Sequence, residues 1–191
     1  ASYDGSGDYA SGSILEYCTV EYGSGIQLNL ANPFINQGAI RYHSGRGVKT
    51  DNYNSSNNSA TLKITNNTIS NNAGGVHLYG LGTILISGNT ISNNSVSDSG
   101  AGIKIDGGAG VTISGNTIEN NVSEGNGGGI RGQYDHKVLN NVIKGNQARS
   151  GGGIKGGGTI TGNIPEERAS WATNERGQRR PFRFEGGAVH G

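Results

Sequence analysis

The feature that most constrains the fold of this chain is a nine-residue block that recurs along it. Three copies agree almost residue for residue: ITNNTISNN at 64–72, ISGNTISNN at 86–94 and ISGNTIENN at 113–121. Weaker copies begin at Val138 and Ile160, and degenerate ones begin at Leu15 and Ile35. Successive copies start 20, 29, 22, 27, 25 and 22 residues apart. A period of this length is typical of a solenoid, in which each turn packs on the one before it.

A second, shorter block lies downstream in each repeat and combines a Gly, an Ile or Val and a polar residue. Apolar and polar residues alternate in both blocks, which predicts short strands with one buried face. Gly and Asn stand between the runs, where the chain must turn through positive φ. The second block reads Gly25-Ile26-Gln27, Gly47-Val48-Lys49, Gly75-Val76-His77, Gly102-Ile103-Lys104, Gly129-Ile130-Arg131 and Gly153-Ile154-Lys155.

One such unit cannot bury its apolar face, whereas stacked units pair each strand with its equivalents above and below. We therefore predict an all-β fold, a single-stranded parallel β-helix of about seven coils. The 36 Gly, 23 Asn and 19 Ser among 191 residues would otherwise suggest a flexible chain, but they fall largely at repeated turn positions. A leucine-rich repeat is disfavoured, because the linkers at 95–100 and 124–129 are poor helix formers.

An asparagine recurs at the same place in five repeats, and we interpret this column as structural. A side-chain amide both donates and accepts, so stacked Asn residues can bond along the solenoid while holding a turn conformation that Asn tolerates. Cys18 and Gly38 interrupt the column in the two earliest repeats. The predicted ladder consists of Asn67, Asn89, Asn116, Asn141 and Asn163.

The runs NTISNN, GNTISNN and GNTIENN, with glycine blocks such as GAGI and GGGI, resemble the parallel β-helix repeats of the right-handed, pectin-lyase-like superfamily. The resemblance covers residues 13–164. It implies a right-handed β-helix and a secreted or cell-surface location, and such domains occur in polysaccharide lyases, glycoside hydrolases, uronan epimerases and adhesins. The chain lacks the paired-Asp segment with a Gly-His-Gly partner of polygalacturonase-like members and the Arg-x-Pro-x-x-Arg of pectate-lyase-like ones, so fold alone does not choose the activity.

The two ends differ from the repeats, and we divide the chain into a lead-in at 1–12, a repeat domain at 13–164 and a cap or appendage at 165–191. Residues 165–176 begin with Pro and acidic residues and end with Arg, which predicts a short helix. Trp171, Phe182 and Phe184 offer apolar surface to cover the last coil. The first coil has no comparable cover, which leaves end-to-end self-association at that coil as a hypothesis.

Polar residues that follow the Ile or Val of the second block should point outward and form one row along the solenoid. The row is mostly cationic, and tyrosines flank it, so we expect it to bind the carboxylates and sugar rings of an acidic polysaccharide. Residues predicted to bind substrate are His77, Tyr79, Lys104, Arg131, Tyr134 and Lys155.

Whether the chain is an enzyme stays open at this stage. A base beside a cation suits proton abstraction next to a carboxylate, and the residues predicted for this chemistry are Asp106, Arg131, Asp135 and His136. Three functions therefore compete. They are a domain that contacts polysaccharide or another surface through the outward strand face, a uronan lyase or epimerase, and a structural module that assembles with itself.

Several partner classes are not expected. Residues 1–164 carry 10 Lys plus Arg and 10 Asp plus Glu, which gives no electrostatic basis for binding nucleic acid. No run of 18 apolar residues is present to span a bilayer. Asp98, Asp106 and the Asn-rich turns offer oxygen ligands for calcium, but the Gly-Gly-x-Gly-x-Asp repeat is absent and no Cys/His cluster has zinc-ligand spacing. We therefore predict no metal and no cofactor.

Overall fold

Short parallel strands recur in every repeat and stack into a solenoid. The computed structural model describes residues 1–29, 31–51, 53–54, 61–81, 83–107, 110–133, 136–156, 158–166, 172–173 and 179–180. Three parallel sheets of seven, seven and six strands run along these residues. The prediction of an all-β parallel solenoid is confirmed.

Each repeat contributes its first run to the first sheet and the second half of the nine-residue block to the second sheet. The strands of the first sheet are β3 (Ile14–Glu16), β6 (Phe34–Asn36), β10 (Leu62–Thr65), β14 (Ile84–Ser87), β18 (Val111–Ser114), β22 (His136–Leu139) and β25 (Gly158–Thr161). Those of the second sheet are β4 (Thr19–Glu21), β7 (Ala39–Arg41), β11 (Thr68–Ser70), β15 (Thr90–Ser92), β19 (Thr117–Glu119), β23 (Val142–Lys144) and β26 (Ile164–Glu166).

The Gly-Ile blocks form the third sheet, which carries the outward row. Its strands are β5 (Ile26–Asn29), β8 (Val48–Asp51), β12 (Val76–Leu78), β17 (Ile103–Ile105), β21 (Ile130–Gly132) and β24 (Ile154–Lys155). Four small sheets complete the described part of the chain. They pair β1 (Ser2–Tyr3) with β2 (Tyr9–Ser11), β9 (Tyr53–Asn54) with β13 (Gly80–Leu81), β16 (Ser95–Val96) with β20 (Val122–Ser123), and β27 (Ala172–Thr173) with β28 (Arg179–Arg180).

The core is a stack of Ile, Val and Leu from all three sheets. Ile64 faces Ile35 in the preceding turn and Ile86 in the following one, and equivalent residues pair in the same way along each sheet. All three inward positions are buried in five turns, those from Ile35 to Ile154. The first and last of the seven predicted coils have partly exposed core residues, because among the described residues no further turn of the solenoid packs on their outer side.

The predicted asparagine ladder is present and continuous from Asn67 to Asn163. From Asn89 onward, each Oδ1 accepts from the backbone N and the Nδ2 of the Asn one turn before. Each Nδ2 of the ladder donates to a carbonyl of the turn before, and all these bonds are 2.8–3.0 Å long. The ladder ends at Gly38, whose backbone N donates to Asn67 Oδ1.

A second ladder, which the sequence reasoning missed, follows the second sheet. It has the same hydrogen bonds as the first and consists of Asn72, Asn94, Asn121 and Asn146. His43 continues it by one turn, since its backbone N donates to Asn72 Oδ1 and its Nδ1 accepts from the backbone N of Gly23.

The turn conformation lies one residue earlier than predicted. The residue before each ladder Asn, and not the ladder Asn itself, has positive φ, between 53° and 67°. Asn or Gly holds this position in every turn from the third onward, for example Asn66, Gly88 and Asn93. These residue types adopt the left-handed region most readily, so turning and ladder bonding are divided between two neighbouring residues.

A glycine column explains the Gly of the second block. Gly75, Gly102 and Gly129 do not have positive φ, but a Cβ on each would lie 2.3–2.5 Å from the carbonyl oxygen of the equivalent glycine in the next turn. These glycines are therefore required for the close approach of successive turns and not for a turn conformation.

The C-terminal end differs from its sequence prediction. The described part of 165–176 contains no helix: residues 165–166 extend β26 along β23, and 172–173 pair in antiparallel fashion with 179–180. Pairing β26 with β23 satisfies backbone groups of β23 that would have no strand partner if the chain turned into a helix here. The capping residues Trp171, Phe182 and Phe184 lie outside the described residues.

The first residues form a hairpin on the outside of the first sheet. Tyr3 and Tyr9 pack against Phe34 with ring centroids 5.9 and 5.8 Å away, and Lys63 Nζ lies 3.7 Å from the Tyr3 ring centroid. Over the described residues, the structure has no helix long and apolar enough to cross a membrane.

Candidate functional site

The predicted outward row exists, and its members are in register in consecutive turns of the third sheet. Its order is Gln27, Lys49, His77, Lys104, Arg131 and Lys155. Each follows an inward Ile or Val, so strand alternation places each of them on the outer face. The pairing of equivalent strands thus brings together six residues that span most of the sequence.

A second set of glycines lies against the side chains of the row. Gly100, Gly127 and Gly151 have φ between 63° and 68°, and each precedes a cation of the row by four residues. A Cβ on any of them would lie 2.6–2.8 Å from the Cβ of that cation. The loop backbone therefore packs on the stems of Lys104, Arg131 and Lys155 and restricts their directions.

Asp106 is the centre of the row. It follows β17, and its side chain is 19% exposed. His77 Nε2 lies 2.9 Å from Asp106 Oδ2, Lys104 Nζ lies 3.0 Å from the same oxygen, and the Arg131 guanidinium donates to Oδ1. One carboxylate from the fourth turn thus binds side chains from the third, fourth and fifth turns.

Asp98 and Arg46 extend this cluster. Asp98 forms an ion pair with Lys104, and its Oδ2 lies 3.9 Å from a guanidinium nitrogen of Arg46. Arg46 is 8% exposed and donates to the carbonyl oxygens of Gly100, at 2.5 Å, and Ser99, at 3.0 Å. We call His77, Asp98, Lys104, Asp106 and Arg131, together with Arg46, the central cluster.

Burial and charge act against each other in the central cluster. Burial raises the pKa of Asp106, but hydrogen bonds from Lys104 and His77 and the charges of Lys104 and Arg131 outweigh it, so the pKa lies below its ordinary value. Burial also lowers the pKa of His77, and the charges of Arg46 and Lys104 add to this effect, while the bond to Asp106 partly offsets it. His77 is therefore neutral at pH 7, with its Nε2–H donated to Asp106.

Of the other residues predicted to bind or react with substrate, Tyr79 is exposed and His136 is buried. Tyr79 follows β12 and is 48% exposed, and its backbone N donates to the Thr50 hydroxyl. His136 is only 3% exposed, because it alternates with Val138 in β22 and so points inward. The expectation that His136 lies beside the outward row is therefore wrong. Tyr134 and Asp135 lie outside the described residues.

Sequence reasoning missed the role of Arg46 and assigned Asp98 only to a possible calcium site. Arg46 reaches carbonyls more than 50 residues away in the sequence, and nothing in its local pattern indicates this. Asp98 and Asp106 both bind Lys104. Across the described ranges, no three His, Cys, Asp or Glu side chains come close enough together to hold a metal ion.

Comparison with known proteins identifies the fold family. The family model described as a right-handed β-helix region matches residues 55–166. Neither the curated proteins nor the solved structures give a match to the chain. The matched residues include the third to sixth turns, both asparagine ladders and most of the outward row. The chain therefore belongs to the right-handed β-helix family.

Proposed function

We propose that this β-helix binds an acidic polysaccharide along the outward row of its third sheet. The observation that carries the proposal is the register of the row, which places the cations Lys104, Arg131 and Lys155 on consecutive turns. Parallel strands repeat at roughly 4.8 Å. This spacing is comparable to the length of one sugar unit. In a uronan that lies along the solenoid, successive carboxylates would therefore lie near successive residues of the outward row.

The ordering of the cations supports binding. Glycine backbone restricts the stems of Lys104 and Arg131, and Asp106 orients their charged groups. Side chains that are ordered before binding lose less conformational entropy when a ligand arrives. The central cluster holds three permanent cations and two carboxylates, so it keeps a net positive charge for an arriving carboxylate.

The proposal includes a secreted or cell-surface location, where acidic polysaccharides of this kind are found. The test is calorimetric titration with polygalacturonate and with alginate at several salt concentrations. We expect binding that weakens as salt rises, because salt screens the interaction between exposed charges. Neutral dextran serves as the polymer control.

Two variants separate the row from general surface charge. Lys49→Gln combined with Lys155→Gln removes two cations of the row and should weaken polymer binding about tenfold, or about 1.4 kcal/mol. Lys137→Gln removes an exposed cation of the first sheet and should leave binding unchanged. Equal losses in the two variants would contradict the proposal. So would binding of neither polymer, and light scattering would then test the alternative of a self-assembling module.

A second candidate function, uronan lyase or epimerase, is favoured by the pair of His77 and Asp106. The 2.9 Å contact fixes the proton on Nε2 and leaves Nδ1 as the basic nitrogen. In a lyase, Nδ1 would take the C5 proton, the C5–H electrons would form the C4–C5 double bond, the C4–O bond would break, and the leaving oxygen would take a proton from water. Lys104 and Arg131 would stabilise the charge that builds up on the substrate carboxylate.

The enzyme candidate is tested by the ultraviolet absorbance of the unsaturated uronate and by NMR of epimerised polymer. His77→Gln should abolish either activity, and Asp106→Asn should lower kcat and shift its pH profile, while Lys137→Gln changes neither. Polymer binding without any product in either assay would exclude the enzyme candidate and retain the binding function.

A further inference from the structure

Two tyrosines occupy backbone positions that other turns give to Asn or Gly. Tyr22 and Tyr42 precede Gly23 and His43, which hold the place of the second ladder in the first two turns, and they have φ of 57° and 59°. The same corner is formed by Asn71, Asn93 and Asn120 in the next three turns. Bulky side chains are disfavoured in this left-handed region, so the fold does not select tyrosine there.

The side chains add little to the packing of the solenoid. Tyr22 is 77% exposed and Tyr42 is 44% exposed. The two rings stack on each other with centroids 5.5 Å apart and planes 15° from parallel. Strained backbone conformations cluster at ligand-binding sites, and at this corner two such residues also stack their rings.

An ion pair orders polar groups directly beside the rings. Glu21 and Arg41 precede the two tyrosines and face each other in the second sheet. Arg41 Nε lies 2.5 Å from Glu21 Oε1, and the guanidinium carbon lies 5.4 Å from the centre of the Tyr42 ring. The corner therefore combines flat apolar surface with a hydrogen-bond donor and an acceptor.

We propose that this tyrosine corner, formed by Glu21, Tyr22, Arg41 and Tyr42, binds the face of a neutral pyranose ring in a polysaccharide. The C–H face of a sugar packs on an aromatic ring, and its hydroxyls bond to charged side chains at the ring edge. Tyrosine loses little conformational entropy on binding, since it has only two side-chain torsions.

The size of the patch favours a sugar over a protein. An aromatic side chain buries 150–250 Å² at most, so the two rings offer only a few hundred Å². A stable protein interface needs about 800 Å² from each partner. One or two sugar rings match the smaller area. The site goes beyond the proposed function, because it needs no charge on the ligand and lies at the corner between the second and third sheets.

The test is calorimetric titration of the full chain with cellohexaose, xylohexaose and mannohexaose in high salt, which suppresses binding by the outward row. We expect at least one oligosaccharide to bind with an affinity that salt does not change. Tyr22→Asn and Tyr42→Asn together should weaken this binding at least tenfold, because both stacking surfaces are lost.

The Asn substitutions also keep the experiment interpretable. Asn is the residue of the equivalent turns, so the double variant should unfold at the same temperature as the parent chain or at a higher one. Tyr17→Asn is the matched control. Tyr17 is 74% exposed with φ of 51°, but it lies at the corner between the first and second sheets, so its replacement should leave sugar binding unchanged.

Three outcomes would overturn the proposal. They are no binding of any of the three oligosaccharides, unchanged binding in the double variant, and equal loss in Tyr17→Asn. Concentration-dependent dimers that the double variant abolishes would assign the rings to self-association instead. Because polygalacturonate binding at low salt is measured on the same variants, failure of this site can be told apart from failure of the outward row.

Discussion

The central asparagine of the first ladder, Asn116, should be among the most sensitive positions in the chain. It is 1% exposed, and its side chain makes five hydrogen bonds. Oδ1 accepts from the backbone N and Nδ2 of Asn89, and Nδ2 donates to the carbonyls of Ile86 and Ser114 and to Asn141 Oδ1. We consider its replacement by Ala.

The expected loss follows from the groups left behind. Asn116→Ala leaves the buried backbone N–H of Asn89 without an acceptor, which costs about 1–3 kcal/mol. Loss of the remaining hydrogen bonds and of side-chain volume adds about 1–2 kcal/mol, because the neighbouring turns cannot move closer to fill the space that the side chain leaves. We therefore expect the free energy of unfolding in urea to fall by about 3–5 kcal/mol.

Two further variants identify the cause. Asn163→Ala, at the end of the described ladder, removes a half-buried side chain that bonds only to the preceding turn within the described residues, so the loss of unfolding free energy should be smaller, about 1–2 kcal/mol. Asn126→Ala changes an exposed Asn and should alter the free energy of unfolding by no more than about 0.5 kcal/mol. If Asn116→Ala costs no more than Asn126→Ala, the ladder does not stabilise the solenoid as argued.

Three other predictions concern glycine and the central cluster. Gly102→Ala should lower the midpoint of urea unfolding strongly, because its Cβ would lie 2.4 Å from a backbone carbonyl oxygen. Gly115→Asn should change the free energy of unfolding by no more than about 0.5 kcal/mol, since a Cβ at this position meets nothing within 4 Å. The free energy of unfolding should fall as pH drops below 6.5, the unfolded pKa of His77, and again below 3.8, the unfolded pKa of Asp106, because folding lowers both pKa values and protonation then favours the unfolded chain. Urea unfolding at a series of pH values checks this, and His77→Gln should lose only the first of the two steps. Arg46→Lys should lower the melting temperature in calorimetry by the equivalent of about 1–3 kcal/mol, because one ammonium cannot replace a guanidinium that reaches two carbonyls.

The parts of the fold that repeat were the parts open to prediction. Alternation and period place Ile64 over Ile86 and Lys104 over Arg131, because stacking equal turns leaves no other register that buries every Ile. His136 was open to the same reasoning, since it lies two residues before the inward Val138. The repeat also contained the second ladder, in which Asn94 and Asn121 hold constant positions.

Contacts that do not repeat were not predictable in this way. The central cluster depends on Asp98 and Asp106, which have no equivalents in neighbouring turns, and on Arg46, which passes over a whole turn. Arg46 crosses the third turn at Gly74, where a Cβ would lie 2.7 Å from the arginine side chain. Such contacts depend on side-chain length and local space, which a linear pattern does not encode.

Stability along the solenoid should be uneven, and this bears on where ligands bind. Turns of a solenoid are stabilised mainly by their neighbours, and both ladders reach full strength only from Asn67 and Asn72 onward. The first turn has partly exposed core residues, and both of the first two turns have tyrosines at strained positions. Arg46, which belongs to the second turn, ties them to the fourth by its bonds to Ser99 and Gly100.

The proposed tyrosine corner thus lies on the turns with the weakest ladder support, while the central cluster lies where both ladders are complete. Amides of the first two turns should exchange with solvent faster than those of the fourth and fifth, since local opening follows local stability. A sugar bound at Tyr22 and Tyr42 must slow exchange in those first turns, because it binds only their closed form. An acidic polymer on the outward row should instead protect Lys104 and Arg131 most, so hydrogen exchange with each ligand separates the two sites without any substitution.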